Sequence, residues 1–280
     1  MPSWHFIIDV AKCENCNNCF LACKDEHVEN DWPGYSAPQP RHGHRWMNIF
    51  CKERGQYPLI DVACRPTPCM HCDDAPCIAA AGPGQIQKRP DGIVLIDPEK
   101  ACGNRDLPKA CPYGAMWWNA DRQVAQKCTL CAHLLDDGWK QPRCVQVCPT
   151  GALQFVDAEA GAMRERQKRE KLTVLHPEYG TAPRVYYKNL YRFQHCFIAG
   201  SIAYTDNGRI ECAAGATVII ANEQMGTRET TADAFGDFKF DALAPQSGTY
   251  RIEIRHAAHS PMAASVDLED SVNLGTMLLS

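Results

Sequence analysis

Short apolar runs broken by turn residues fill this chain, and most of them suit strands better than helices. Residues 5–10, 92–96 and 152–156 have the apolar character of short strands. Residues 157–172 carry a helical pattern with Asp157 at the N-cap position. Arg164, Arg166, Lys168 and Arg169 give that helix a solvated face. A polar, proline-containing connector follows, and Pro183-Arg-Val-Tyr-Tyr187 predicts one more strand. From about residue 197 the alternation becomes regular. It predicts strands at 217–221, 237–240 and 249–255, with Tyr250, Ile252 and Ile254 on one face at period two. Turn signals at Asn207-Gly208, Phe235-Gly236-Asp237 and Ser247-Gly248 separate them.

This pattern divides the chain. Residues 197–280 read as a small all-β sandwich of transthyretin or immunoglobulin-like kind, without a catalytic constellation and with a structural or interface-forming role. Residues 161–196 are helix and connector. In residues 1–160 the periodicity is weak and the cysteines carry the information. One stretch there, 24–67, is a long loop rich in Pro, His and aromatics, among them Trp32, Pro33, Tyr35, His42, His44 and Trp46. Its aromatics predict order, and either a partner surface or a self-packed loop. Its histidines lack cysteine or carboxylate companions at ligand spacing.

Seventeen cysteines occur in 280 residues, and fifteen of them precede residue 149. Such clustering in a chain without export features favours metal over disulfides, and an odd total leaves at least one thiol unpaired. The first group, Cys13, Cys16, Cys19 and Cys23, is a C-x2-C-x2-C-x3-C run. Three thiolates on so tight a loop grip one cubane, and the fourth, carried onto the following helical turn, ligates a second. The complement is Cys128, Cys131, Cys144 and Cys148, with a twelve-residue insertion at 132–143 and Pro149 after the last cysteine. Crossing the fourth ligands gives Cys13, Cys16, Cys19 and Cys148 as one set and Cys23, Cys128, Cys131 and Cys144 as another. A third set is Cys69, Cys72, Cys77 and Cys111, the last followed by Pro112. The same rule places a fourth set at Ala81, Ala101, Asn104 and Leu107, where all four ligands are missing together. One cluster site has been deleted as a unit and three are kept. Structural zinc is the competing use of such thiols, but zinc sites seldom need crossed x2, x2, x3 spacing. Cys51, Cys64, Cys102, Cys196 and Cys212 remain as ordinary thiols.

The fold class predicted is therefore α+β: nested ferredoxin-like [4Fe–4S] units over 1–160, followed by the β-sandwich. The outer unit uses about 1–30 and 115–160, and the inner one about 60–114. The net charge of −4 offers no basic surplus for nucleic acid. Apolar residues at 45% and charged residues at 22% are ordinary for a soluble globular protein. No apolar stretch has the length of a membrane helix, and the start of the chain lacks a signal pattern. Cytoplasmic location is the expectation, although a partner bearing a signal could carry the chain across a membrane. Walker loop, dinucleotide fingerprint and nucleophile–base pair are all missing, so the expected chemistry is electron transfer alone.

The four-motif layout resembles the iron–sulfur subunits of the dimethyl-sulfoxide-reductase family, whose usual cluster number is four. The stretches between the motifs narrow the resemblance. Cys16-Asn-Asn-Cys19-Phe20, Trp32-Pro-Gly-Tyr35, Gly43-His-Arg-Trp-Met-Asn-Ile49, Arg65-Pro-Thr-Pro-Cys69-Met-His-Cys72 and Gln126-Lys-Cys-Thr-Leu-Cys131 are similar to small subunits of the pyrogallol–phloroglucinol transhydroxylase and resorcinol hydroxylase type. That resemblance implies three [4Fe–4S] clusters in this chain. It also implies a heterodimer with a large catalytic subunit holding molybdenum as molybdopterin guanine dinucleotide and a polyhydroxylated phenol as substrate. No catalytic residue belongs to this chain. A hydroxylase passes electrons to an external acceptor, whereas a transhydroxylase has no net redox change. A free-standing polyferredoxin and a scaffold with merely structural clusters are the other readings, and the β-domain and aromatic loop speak against a simple carrier.

Overall fold

In the computed structural model, which describes residues 2–280, the chain divides into two units. The first comprises residues 2–51 and 64–190, the second residues 52–63 and 191–280. The second unit thus begins six residues before the sequence-based boundary at 197 and takes in a segment far upstream.

In the first unit, β1 (Trp4–Asp9) is the middle strand of a three-stranded sheet. Phe6, Ile7 and Ile8 are all buried, because both faces of this strand are covered. The first cysteine loop leads into α1 (Asn18–His27), and then a long segment leads to β2 (Asn48–Gln56) and β3 (Leu59–Thr67). After α2 (Pro76–Ala79) come β4 (Ile86–Lys88) and β5 (Val94–Ile96), a small antiparallel pair. A 3-10 turn at Leu107–Ala110 precedes the antiparallel pair β6 (Trp117–Asn119) and β7 (Val124–Gln126). The last cysteine group lies around α3 (Ala132–Asp136) and α4 (Arg143–Gln146). β8 (Leu153–Asp157) then returns antiparallel to β1, α5 (Ala160–Glu170) follows, and β9 (Val185–Lys188) pairs parallel to β1 on its other edge.

Three sequence expectations are corrected here. The helix starts at Ala160, not at 157, and Asp157 is no cap. It ends β8, where its carboxylate accepts the Ser3 N–H at 2.7 Å across the sheet. The stretch 24–67 is not one loop, since its second half is the β2–β3 hairpin. The aromatics of its first half turn inward: Trp46 and His44 are buried, and Trp32 stacks on His133 at 4.1 Å. Finally, Cys51 and Cys64 are not ordinary thiols. They face each other across the hairpin with Cα atoms 4.2 Å apart and form a disulfide.

In the second unit, α6 (Tyr191–Gln194) leads into β10 (Cys196–Asp206), which pairs with β11 (Arg209–Cys212), β14 (Asp237–Leu243) and β17 (Val272–Leu279). A second sheet has the order β13 (Gly226–Thr231), β12 (Thr217–Asn222), β15 (Gly248–His256), β16 (His259–Leu268). One core takes side chains from both sheets. Ile198, Phe238 and Phe240 come from the first, and Val218, Ile220, Tyr250, Ile252 and Ile254 from the second. The upstream segment adds Arg54, which is fully buried between Asp61 and Asp241. Among the described residues no helix is long and apolar enough to cross a membrane.

Candidate metal centres

The cysteine loops share a backbone device. In Cys13-Glu-Asn-Cys16, Cys69-Met-His-Cys72 and Cys128-Thr-Leu-Cys131, the residue before the second cysteine has positive φ: Asn15 at 55°, His71 at 45° and Leu130 at 51°. Asn and His enter this region more readily than other side chains, but Leu rarely does, and backbone strain of this kind concentrates at functional sites. A second device repeats after the closing cysteines. Cys111-Pro-Tyr-Gly114-Ala115 and Cys148-Pro-Thr-Gly151-Ala152 both turn on a glycine, with φ of 61° and 63°. In each turn the glycine N–H donates back to the cysteine carbonyl, at 3.1 and 3.4 Å.

These loops bring the thiols together in crossed sets. Cys13 and Cys19 have Cys16 and Cys148 within electrostatic reach. Cys23 and Cys144 have Cys128 and Cys131 as neighbours, and Cys144 also has Cys23. Cys72 has Cys69, Cys77 and Cys111 around it. All twelve predicted thiols therefore fall into the three sets expected from spacing. The sets also touch in sequence. Cys19 lies within electrostatic range of Cys144, and Cys69 of Cys128, so the buried set of Cys23, Cys128, Cys131 and Cys144 neighbours both of the others.

Two of the sets line a cavity rather than converging on a point. Cys69, Cys72, Cys77 and Cys111 line a cavity together with Met70, Met116 and Lys127. Cys23, Cys128, Cys131 and Cys144 line another with His27, Trp46 and Met47. Among the described residues, no three His, Cys, Asp or Glu side chains converge on a position for a single metal ion.

Burial dominates the electrostatics. It pushes the Cys19, Cys72 and Cys131 thiols up to about 12, and Cys128 to about 11. Cys23 and Cys144, fully enclosed, are raised well above the ordinary thiol range. Water cannot stabilise thiolates here, so a bound cation has to do so, with release of protons on loading. Local donors assist. The Leu130 N–H donates to Cys128 Sγ and the Ala115 N–H to Cys111 Sγ, both at 3.4 Å. The Thr150 hydroxyl lies 3.8 Å from Cys148 Sγ. The donor set and the enclosed cavities fit [4Fe–4S] clusters.

At the four positions where the spacing rule finds no cysteine, the interior is different. Ala101 and Leu107 are buried in a core with Ile86, Val94, Ile96, Met116, Val124 and Ala125, and Ala81 packs against it. Asn104 donates from Nδ2 to Gln85 Oε1 at 2.8 Å. Gly103, just before position 104, has φ of 80°, matching the positive φ that precedes the second cysteine in the three thiol loops.

Sequence reasoning missed two polar neighbours of the thiols. Lys127 is buried, 3% exposed, and its ammonium donates to the Val94 and Cys128 carbonyls. Thr181 lies within hydrogen-bonding reach of Cys72 and pairs with the Tyr113 hydroxyl at 2.6 Å. The available signal for Lys127 was a lysine directly before a C-x2-C pair. Thr181 is far along the chain and gave none.

Thiol sets with these loops define an iron–sulfur electron-transfer protein with more than one cluster. Comparison with known sequences agrees. Residues 60–158 match the 4Fe-4S dicluster domain family. The chain is 48% identical over its whole length to the whole of the pyrogallol hydroxytransferase small subunit of Pelobacter acidigallici. It is 29% identical over 231 residues to the arsenate respiratory reductase iron-sulfur subunit of Shewanella sp. (strain ANA-3), covering 65% of this chain and 94% of that one. It is also 33% identical over 187 residues to the probable anaerobic dimethyl sulfoxide reductase chain YnfG of Escherichia coli (strain K12), covering 61% and 80%. The chain belongs to the family of the pyrogallol hydroxytransferase small subunit, with iron–sulfur relatives in the dimethyl-sulfoxide-reductase group.

Proposed function

We propose that this chain is a three-cluster electron relay. Its partner would be a large molybdopterin-containing subunit that transfers hydroxyl groups between polyhydroxylated phenols. The observation that carries this reading is the gathering of twelve thiols into three crossed sets, with the fourth position closed by apolar packing. Full-length similarity to a pyrogallol hydroxytransferase small subunit supports the choice of partner and substrate class.

Cys13, Cys16, Cys19 and Cys148 would hold the first cluster. Cys23, Cys128, Cys131 and Cys144 would hold the second, and Cys69, Cys72, Cys77 and Cys111 the third. The ligand loops would form nested ferredoxin-like units, an inner one of about 60–114 within an outer one, with 197–280 as a separate β-domain. Bound in these sets, [4Fe–4S] clusters supply reversible one-electron storage. The protein does the rest. Burial around Cys23 and Cys144 excludes water from the middle set, and the N–H donors at Leu130 and Ala115 stabilise negative charge on sulfur. The complex would act in the cytoplasm, with molybdenum carried by the partner.

Iron and acid-labile sulfide assays on the anaerobically purified complex test the cluster count. About twelve of each per copy of this chain are expected, after correction for any held by the partner. Fewer than about eight irons would contradict three cubanes. Turnover of pyrogallol that requires a phenolic cosubstrate, and no electron acceptor, separates transhydroxylation from hydroxylation.

A further inference from the structure

We infer that Lys127 is a fixed positive charge that raises the reduction potential of the cluster held by Cys69, Cys72, Cys77 and Cys111, and to a lesser degree that of the neighbouring buried set. This deepens the relay reading above and rests on it.

The starting observation is a buried ammonium without a counter-ion. Lys127 is 3% exposed, and among the described residues no carboxylate lies within ion-pair distance of it. Two of its three donors go to backbone carbonyls, Val94 and Cys128. A lysine buried so deeply is ordinarily expensive unless an anion accompanies it. The nearby basic groups are provided for differently. Lys88 pairs with Asp73 at 2.8 Å, and Arg184 pairs with the same carboxylate at 2.6 Å. His71, on the other side, gives up its Nδ1 as acceptor to the Val94 N–H at 3.0 Å and offers no negative charge.

What Lys127 does face is sulfur. It lines the cavity of Cys69, Cys72, Cys77 and Cys111, and its own peptide bond joins it to Cys128 of the middle set. Its charge reaches Cys77, Cys111 and Cys128. A cubane on four thiolates is an anion in both oxidation states, and one electron makes it more so. In a largely buried site, where Cys69 and Cys72 are enclosed and Cys77 and Cys111 partly so, a nearby cation stabilises the reduced form more than the oxidised one. Lys127 therefore supplies the counter-charge of the cluster, and the cluster supplies that of Lys127.

The test is a redox titration of the anaerobically purified complex, followed by electron paramagnetic resonance, for the wild type and for K127M, K127Q and K127R. Gln keeps a donor for the two carbonyls and loses the charge, and Arg keeps the charge. Loaded K127M or K127Q should reduce one cluster with an equilibrium constant at least tenfold lower, which is 59 mV for one electron. K127R should stay near the wild type. Loss of clusters in both neutral variants with retention in K127R also supports the proposal, because loading then needs the charge. Wild-type potentials in a loaded neutral variant would overturn it and leave the relay intact. Cluster loss in all three variants would overturn it too, since shape rather than charge would then be the requirement. A wild-type complex without iron would instead overturn the relay reading itself.

Discussion

Around Cys69, Cys72, Cys77 and Cys111 the first unit leaves a thiol-walled cavity. Around Ala81, Ala101, Asn104 and Leu107, positions related to it by the same crossed spacing, it is filled by an apolar core and one amide–amide hydrogen bond. The two regions differ little in backbone logic. His71 and Gly103 both take positive φ just before a ligand position, at 45° and 80°. They differ in what occupies the space inside. A cluster site without its metal leaves thiols buried and unable to ionise, whereas a site that has lost its thiols can close with Leu, Ile and Met and lose nothing to desolvation. A half-emptied site would have neither advantage, which fits the absence of cysteine from all four positions.

The strongest way to break the contrast is to remove one ligand from the kept site. Cys111→Ala, which leaves no donor atom, should cost about four irons per chain, seen by iron analysis, with the other two clusters retained. Unchanged iron would mean that Cys111 binds nothing. The converse experiment installs ligands in the filled site. Because the loop at Gly103 keeps its shape, A81C/A101C/N104C/L107C should add about four irons and a fourth resonance signal on anaerobic reconstitution. Iron at the wild-type level would show that the fourth position is only an ordinary core.

Smaller effects follow from the filling itself. Leu107 is 1% exposed inside that core, so Leu107→Ala should destabilise the first unit by about 2–5 kcal/mol, read as a lower urea midpoint. A change below about 0.5 kcal/mol would mean the region is loosely packed. Asn104→Ala removes the hydrogen bond to Gln85 and should cost about 1 kcal/mol by the same assay.

The grouping of the thiols was legible in the sequence because cysteine spacing is discrete and the crossing rule pairs distant groups. Tyr250, Ile252 and Ile254 were equally plain: period two placed them on one face, and all three are buried in one core. The hairpin of β2 and β3 was hidden for a physical reason. Its alternation is interrupted by Lys52, Glu53, Arg54 and Asp61, and Arg54 reads as a surface residue. In the structure Arg54 is enclosed and compensated by Asp61 and by Asp241, nearly two hundred positions away. The Cys51–Cys64 pairing was lost with the hairpin that aligns it. Asp157 resembled a helix cap because it precedes the helix, yet its carboxylate is used across the sheet by Ser3. Long-range partners, not local preference, decided each of these positions.

That ion set gives a comparison within the second unit. Burial pushes the Asp61 and Asp241 carboxyls up, but the hydrogen bond and charge of Arg54, with Lys239, outweigh it and hold both below the usual carboxylate range. A carboxylate depressed in the folded state stabilises fully above its unfolded value, about 3.9, and that contribution is lost as pH falls through the lower folded value. Acid unfolding of the β-domain should therefore begin below about pH 4, and Arg54→Met should move its onset upward. An unmoved onset in circular dichroism would deny the ion set that role.

The most direct measurement uses crystals of the whole complex grown without oxygen, with diffraction recorded on both sides of the iron absorption edge. Three compact iron peaks are predicted in this chain, one inside each crossed cysteine set, with none among Ala81, Ala101, Asn104 and Leu107. A zinc signal, a bridge between sulfurs in place of iron, or a fourth iron peak in the filled core would contradict the account.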